Sequence, residues 1–143
     1  VQALLFADGG LTALGLNVVN MALLTTFGGY ALFWLLRRLL PRTHRSVVAA
    51  SGIAAGLGVV LAALGFTLQY AVGGAGSAPV GTVLSAMVGV HVLLGIGEGV
   101  ITALVVSAVL ATRPDLVHGA ADLAPDLVLH LGTGPRPVPE RAA

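Results

Sequence analysis

The chain contains no cysteine and no lysine. The first absence removes disulfides, thiolate nucleophiles and Cys-ligated metal sites, and leaves the redox compartment undetermined. The second makes all seven basic residues arginine; against six acidic residues the formal net charge is +1. That is too small to grip a polyphosphate, so nucleic acid is not a partner. Charge of either sign is scarce, at 9% of residues, against about 25% in an ordinary soluble domain. From position 46 to position 97, 52 residues pass without an Asp, Glu, Lys or Arg. With 57% hydrophobic residues and a mean hydropathy of +0.98, the chain cannot cover itself with a water-facing surface. Strict apolar–polar alternation is also missing, which argues against a transmembrane β-barrel. What remains is an all-α, polytopic membrane protein in a lipid bilayer.

A spanning helix needs around 20 apolar residues to cross a hydrocarbon core about 30 Å thick. Three segments meet that condition: roughly 16–36, 47–72 and 83–111. Ahead of them, Val1 opens inside an apolar run with no charged segment before it. Residues 1–7 therefore read as a helix stub, and the chain as the C-terminal part of a longer protein. The third segment is long for one crossing, and Gly95, Gly97 and Gly99 alternate through it, so a kink, or a short helix followed by a full one, is expected there. Gly52 and Gly56 form a small-residue step in the second span, of the kind that lets helices pack closely, more plausibly within the chain than between chains.

Arg37, Arg38, Arg42 and Arg45 crowd the first connection, with Pro41 as breaker, and Arg113 directly follows the third span. The second connection, 73–79, has no charge. The positive-inside rule then places the Arg loop and the C-terminus in the cytoplasm, and the Gly/Ser loop outside. Tyr30 and Trp34 at one end, and Tyr70 at the other, suit interfacial anchoring. The membrane domain is expected over 1–113, and 114–143, broken by five prolines, as a cytoplasmic, mostly disordered tail, with a short surface helix possible over 123–131.

Catalytic signatures are missing too. No serine sits in a nucleophile-elbow setting, Gly95-Ile-Gly-Glu-Gly99 lies in an apolar helix with no Lys after it, and no His-Glu-x-x-His motif occurs. The chemistry-bearing residues are instead isolated polar groups inside spans. His91 and Glu98 are seven residues apart, on one helical face but about 10 Å apart along the axis. They cannot share one metal ion. A charge at mid-span costs about 2.5–3.5 kcal/mol, so each residue either finds a partner or has a task. Asp8, Asn17 and Asn20 cluster at the outer end of the first span, where their oxygens could cap and support the helix or meet a hard cation. His44, His118 and His130 read as solvated.

Two strings are specific enough to name a family. Ala7-Asp-Gly-Gly-Leu-Thr-Ala-Leu-Gly-Leu-Asn17-Val-Val-Asn20-Met-Ala opens the first span. His91-Val-Leu-Leu-Gly-Ile-Gly-Glu98-Gly-Val-Ile-Thr-Ala-Leu lies in the last, followed by Arg113-Pro-Asp-Leu. Together, over roughly 1–117, they resemble the CbiM/NikM family, the substrate-specific membrane components of cobalt and nickel energy-coupling-factor (ABC-type) transporters. The resemblance implies a six- or seven-span bundle in the cell (inner) membrane. It also implies uptake of Co²⁺ or Ni²⁺ driven by partners: a transmembrane coupling subunit, cytoplasmic ATPase subunits and a small accessory membrane protein. The family's metal ligands are the N-terminal amine, a His beside the initiating Met and a second His in a Gly/Ser/Thr-rich loop. None of these is in this chain, so no metal, cofactor or catalytic residue is assigned here. Asp8, Asn17, Asn20 and Glu98 match family-pattern positions and, with His91, are carried over as supporting or coupling candidates. Gly52, Gly56 and the Gly-rich face of the third span are candidate contact surfaces for the coupling subunit. The alternative is a membrane scaffold with no substrate of its own.

Overall fold

A computed structural model describes residues 14–74 and 76–123. Three long helices dominate: α1 (Leu14–Leu39), α2 (His44–Gly73) and α3 (Val80–Thr112). Each is long and apolar enough to cross a membrane, and the expected spans fall inside them. Two short 3₁₀ turns, Pro114–Leu116 and His118–Leu123, follow α3. The helix stub over 1–7, Asp8, and all but the first residue of the suggested 123–131 helix lie outside the described residues.

The breaks between helices follow from local chemistry. The first ends in Arg37 and Arg38, whose cations suit the negative end of the helix dipole, and Leu40 then turns extended ahead of Pro41. The second begins at an N-cap threonine: Thr43 Oγ1 accepts from the Ser46 amide at 3.2 Å and pairs with the Ser46 hydroxyl at 2.9 Å. Pro79 sets the start of the third helix, and Tyr70 donates its hydroxyl to the Ala78 carbonyl at 2.9 Å across the connection. A Cβ on Gly76 would stand 2.8 Å from that hydroxyl, so the tyrosine tip would have to shift to admit one.

The middle helix is central in space as well as in sequence. A third of its most apolar 18-residue window is buried (33%), against 6% for each neighbour. Val47, Ala50, Ala54 and Ala63 form its hidden stripe. On one side it meets α3 through glycines. A Cβ on Gly56 would stand 2.6 Å from the Gly95 carbonyl oxygen, and one on Gly52 would stand 2.8 Å from that of Gly99. Backbone therefore touches backbone, and only glycine fits. On the other side Gly58 faces Thr25 and Gly29 of α1.

Two expectations need correcting. The third helix is one continuous helix through Gly95, Gly97 and Gly99, and not a short helix followed by a full one. Gly95 and Gly99 are consumed in close packing against Gly56 and Gly52. For the same reason the faces of Gly52, Gly56, Gly95 and Gly99 are not free contact surfaces for a partner, because they contact each other.

The first helix has a feature the sequence does not announce. Val18–Gly28 is wound as a π-helix between α-helical ends. Thr25 Oγ1 donates to the Asn20 carbonyl at 3.3 Å and to that of Met21, an i−5 and i−4 bridge along the wide coil. Beyond α3, the turns fold back on the arginine-bearing end. Ala120 is buried, Gly119 lies against the Phe33 ring, and Arg37 holds Asp122 at 3.0 Å.

Candidate functional site

Asn20 is 6% exposed, one of the few buried polar side chains among the described residues. Its partner is Gln69 of α2. Asn20 Nδ2 donates to Gln69 Oε1 at 2.9 Å, and Gln69 Nε2 donates to Asn20 Oδ1 at 3.0 Å. This reciprocal amide pair uses the donor and acceptor of both side chains, which is the cheapest way to keep them inside an apolar bundle. Gly65 makes the room, because a Cβ there would stand 2.9 Å from Asn20 Oδ1. One turn deeper, Thr67 returns its hydroxyl to the Ala63 carbonyl at 2.9 Å. Asn17 is half-buried where the α-helical turn gives way to the π-coil. Gln69 was missed by sequence reasoning. The available signal was an amide alone among apolar residues in a span, which must have a partner somewhere.

His91 is half-buried, and its Nδ1 lies 2.7 Å from the Met87 carbonyl oxygen, one turn back on its own helix. A carbonyl can only accept, so Nδ1 carries a proton and donates it. The histidine is thus satisfied by backbone.

Glu98 sits differently. Gly95 and Gly99 on either side of it face α2, while Glu98 itself is exposed on the flank of α3. Among the described residues it has no hydrogen bond or ion pair. The same flank and the outward face carry Leu93 (71% exposed), Leu94, Ile101 and Leu104. His91 and Glu98 share a side of the helix as their spacing requires, and the structure does not bring them to a common ligand. Nor do the Asn20 pair and Glu98 form one cluster; the first joins α1 to α2, the second lies on the outer flank of α3. Among the described residues no three His, Asp or Glu side chains converge where they could hold a metal ion.

At the far end, Arg113 and Asp115 form a fork 2.7 and 2.9 Å long just past α3. The Arg113 hydrogen bond holds the Asp115 carboxyl below its ordinary range, and Asp115 in turn raises Arg113. This pair fastens the first turn after the membrane helix.

Among the described residues the arrangement is a set of polar fastenings in an apolar helical frame, with no group of His, Asp or Glu side chains placed to hold a metal ion. Comparison with known proteins agrees with such a frame. Residues 1–116 match the model of a cobalt uptake substrate-specific transmembrane region, CbiM. An Archaeoglobus fulgidus protein named as a fused nickel transport protein, NikMN, is 41% identical over 121 residues, covering 85% of this chain and 39% of its own length. A Haloquadratum walsbyi protein named as a metal transport protein is 39% identical over 132 residues, 90% of this chain and 58% of its own. The cobalt transport protein CbiM of Chlorobium limicola is 32% identical over 128 residues, 86% of this chain and 49% of its own. The chain thus spans about half the length of the curated relatives it matches. No solved structure matches it significantly. The all-helical architecture, the three membrane-length helices and the match over 1–116 make this chain a member of the CbiM family of cobalt uptake transmembrane proteins.

Proposed function

We propose that this chain forms the helical frame of a membrane subunit that takes up cobalt or nickel ions, with energy supplied by separate ATPase partners. The observation that carries the proposal is the family match over 1–116, supported by relatives named for cobalt and nickel transport. The metal ion is cargo. In this reading the chain's own polar residues position helices and leave ligation to other residues. Asn20 and Gln69 lock α1 to α2, and the Met87 carbonyl orients His91. Sequence motifs for nucleotide binding or hydrolysis are missing from the chain, which fits a transport component working with a coupling subunit, cytoplasmic ATPases and a small accessory membrane protein. The arginine-bearing end faces the cytoplasm of a cell with this protein in its inner membrane, by the positive-inside rule.

Glu98 has a more active part. A carboxylate on an outward flank at mid-span costs about 2.5–3.5 kcal/mol if it faces lipid. A second protein element against that flank removes the cost, and such an element can sense or transmit movement. We assign Glu98 to a coupling contact between α3 and the rest of the transporter, with Asp8 and Asn17 supporting the outer end of α1. The test is metal accumulation in cells expressing the intact protein with its partners, measured by elemental analysis. Accumulation of cobalt or nickel above the empty-vector level, retained in His118→Ala and reduced in Glu98→Gln, supports the assignment. No metal-dependent accumulation overturns it in favour of a scaffold.

A further inference from the structure

The richest unassigned cluster lies at the arginine-bearing end of the bundle. A cavity of about 690 Å³ opens there between α1, the start of α2 and the turns after α3. Its lining is basic at the helix end, with Arg37, Arg38 and Arg42, and aromatic one to two turns back along α1, where Tyr30 and Trp34 are exposed. Among its lining residues the sole acid is Asp122. That carboxylate takes Arg37 Nη2 with both oxygens at 3.0 Å and stands 4.0 Å from Arg42 Nε. Arg38 lies flat on Trp34, 3.5 Å from the ring centroid. Arg37 Nη1 is buried, with no hydrogen-bond partner among the described residues. Three guanidinium groups thus line the cavity against one carboxylate, which contacts only Arg37 and Arg42.

We infer that this cavity binds the phosphate of an anionic phospholipid, held by Arg38 and Arg42 beside Arg37, with the glycerol and first chain carbons against Tyr30 and Trp34. Guanidinium groups match phosphate oxygens in geometry and keep their charge at all relevant pH. Basic pockets beside membrane helices are suited to anionic head groups. Tyr30 and Trp34 lie exposed beside the arginines along α1, which favours lipid over soluble phosphate, because a free ion would use the arginines alone. Asp122 acts here as an internal competitor for Arg37, on a segment that reaches the cavity only by folding back past α3. This inference does not depend on which metal is carried or on the coupling role of Glu98.

Trp34 is the single tryptophan of the chain and lines the cavity, so it reports directly. The intact protein is placed in phosphatidylcholine nanodiscs. These contain, at equal mole fraction, either chain-brominated phosphatidylglycerol or chain-brominated phosphatidylcholine, and quenching is measured against a Trp34→Phe control. The expected result is a preference of at least about tenfold for the glycerol head group near Trp34, falling about fivefold in Arg42→Gln. Arg42 is 83% exposed, so this variant tests the site even if Arg37→Gln fails to fold. Asp122→Asn should strengthen the preference. Equal quenching by both lipids, or a weaker preference in Asp122→Asn, overturns the inference. So does loss of the preference in excess inorganic phosphate, which would make the cavity a free-anion site.

Discussion

Asn20 and Gln69 carry the clearest single-residue prediction. Replacing either with leucine strands the other amide inside the bundle, and an unmet buried amide costs about 1–3 kcal/mol. Replacing both removes the stranded group, so the double variant should cost less than the sum of the singles. Thermal unfolding of the intact protein in detergent checks this, and additive losses would show that the two amides do not depend on each other. Asp115 offers a pH prediction. Its carboxyl is held down by the Arg113 hydrogen bond. The contribution is therefore present above the ordinary carboxylate range and is lost as pH falls through the lowered value in the folded protein. A carbon-detected titration of the Asp115 side chain should give a midpoint below that of an unpaired aspartate, and Arg113→Gln should restore it. At this scale the sequence showed which residues were anomalous and not what they touch. Asn20 and Glu98 both stand out as polar groups in greasy helices. Only the fold distinguishes them: one is paired 49 residues away, while the other lies on an exposed flank.

The helices themselves were legible because the bilayer imposes a simple rule. A charge-free run of sufficient length must be a helix with its backbone bonds satisfied internally. Arg37, Pro41, Pro79 and Arg113 then mark the ends. Less legible was how glycines would be used. The alternating glycines of α3 could have weakened it, but Gly95 and Gly99 instead sit against Gly56 and Gly52. The pairing of two small-residue stripes depends on which helices are neighbours, and one sequence does not state that. Gly95→Ala should push a methyl group into the Gly56 carbonyl, costing about 1–3 kcal/mol as overpacking, and Gly56→Leu more. Melting temperatures in detergent check both, with Gly81→Ala as control, since nothing lies within 4 Å of its added Cβ. The π-coil over Val18–Gly28 was also unreadable. Its widened winding accompanies a side chain pairing with another helix and a threonine bridging two carbonyls, neither of which has a local sequence signature.

On the scale of the whole molecule, α2 is a spine with α1 and α3 laid against it, and the outer helices present large apolar surfaces. Leu93, Ile96 and Leu104 on α3 are 62–71% exposed. In a bilayer such surfaces can meet lipid at no cost, but the carboxylate of Glu98 on the same helix cannot. The central proposal is that this frame would transmit without ligating, with Glu98 coupling metal movement to the rest of a transporter without being a metal ligand. The decisive measurement pairs two readouts on Glu98→Gln of the intact protein, cellular cobalt and nickel accumulation and equilibrium metal binding by the purified protein. The account predicts a fall in accumulation of about tenfold or more, equivalent to roughly 1.4 kcal/mol, with metal affinity unchanged. Lost affinity would make Glu98 a ligand, and full accumulation would leave it without a coupling role; either result contradicts the account.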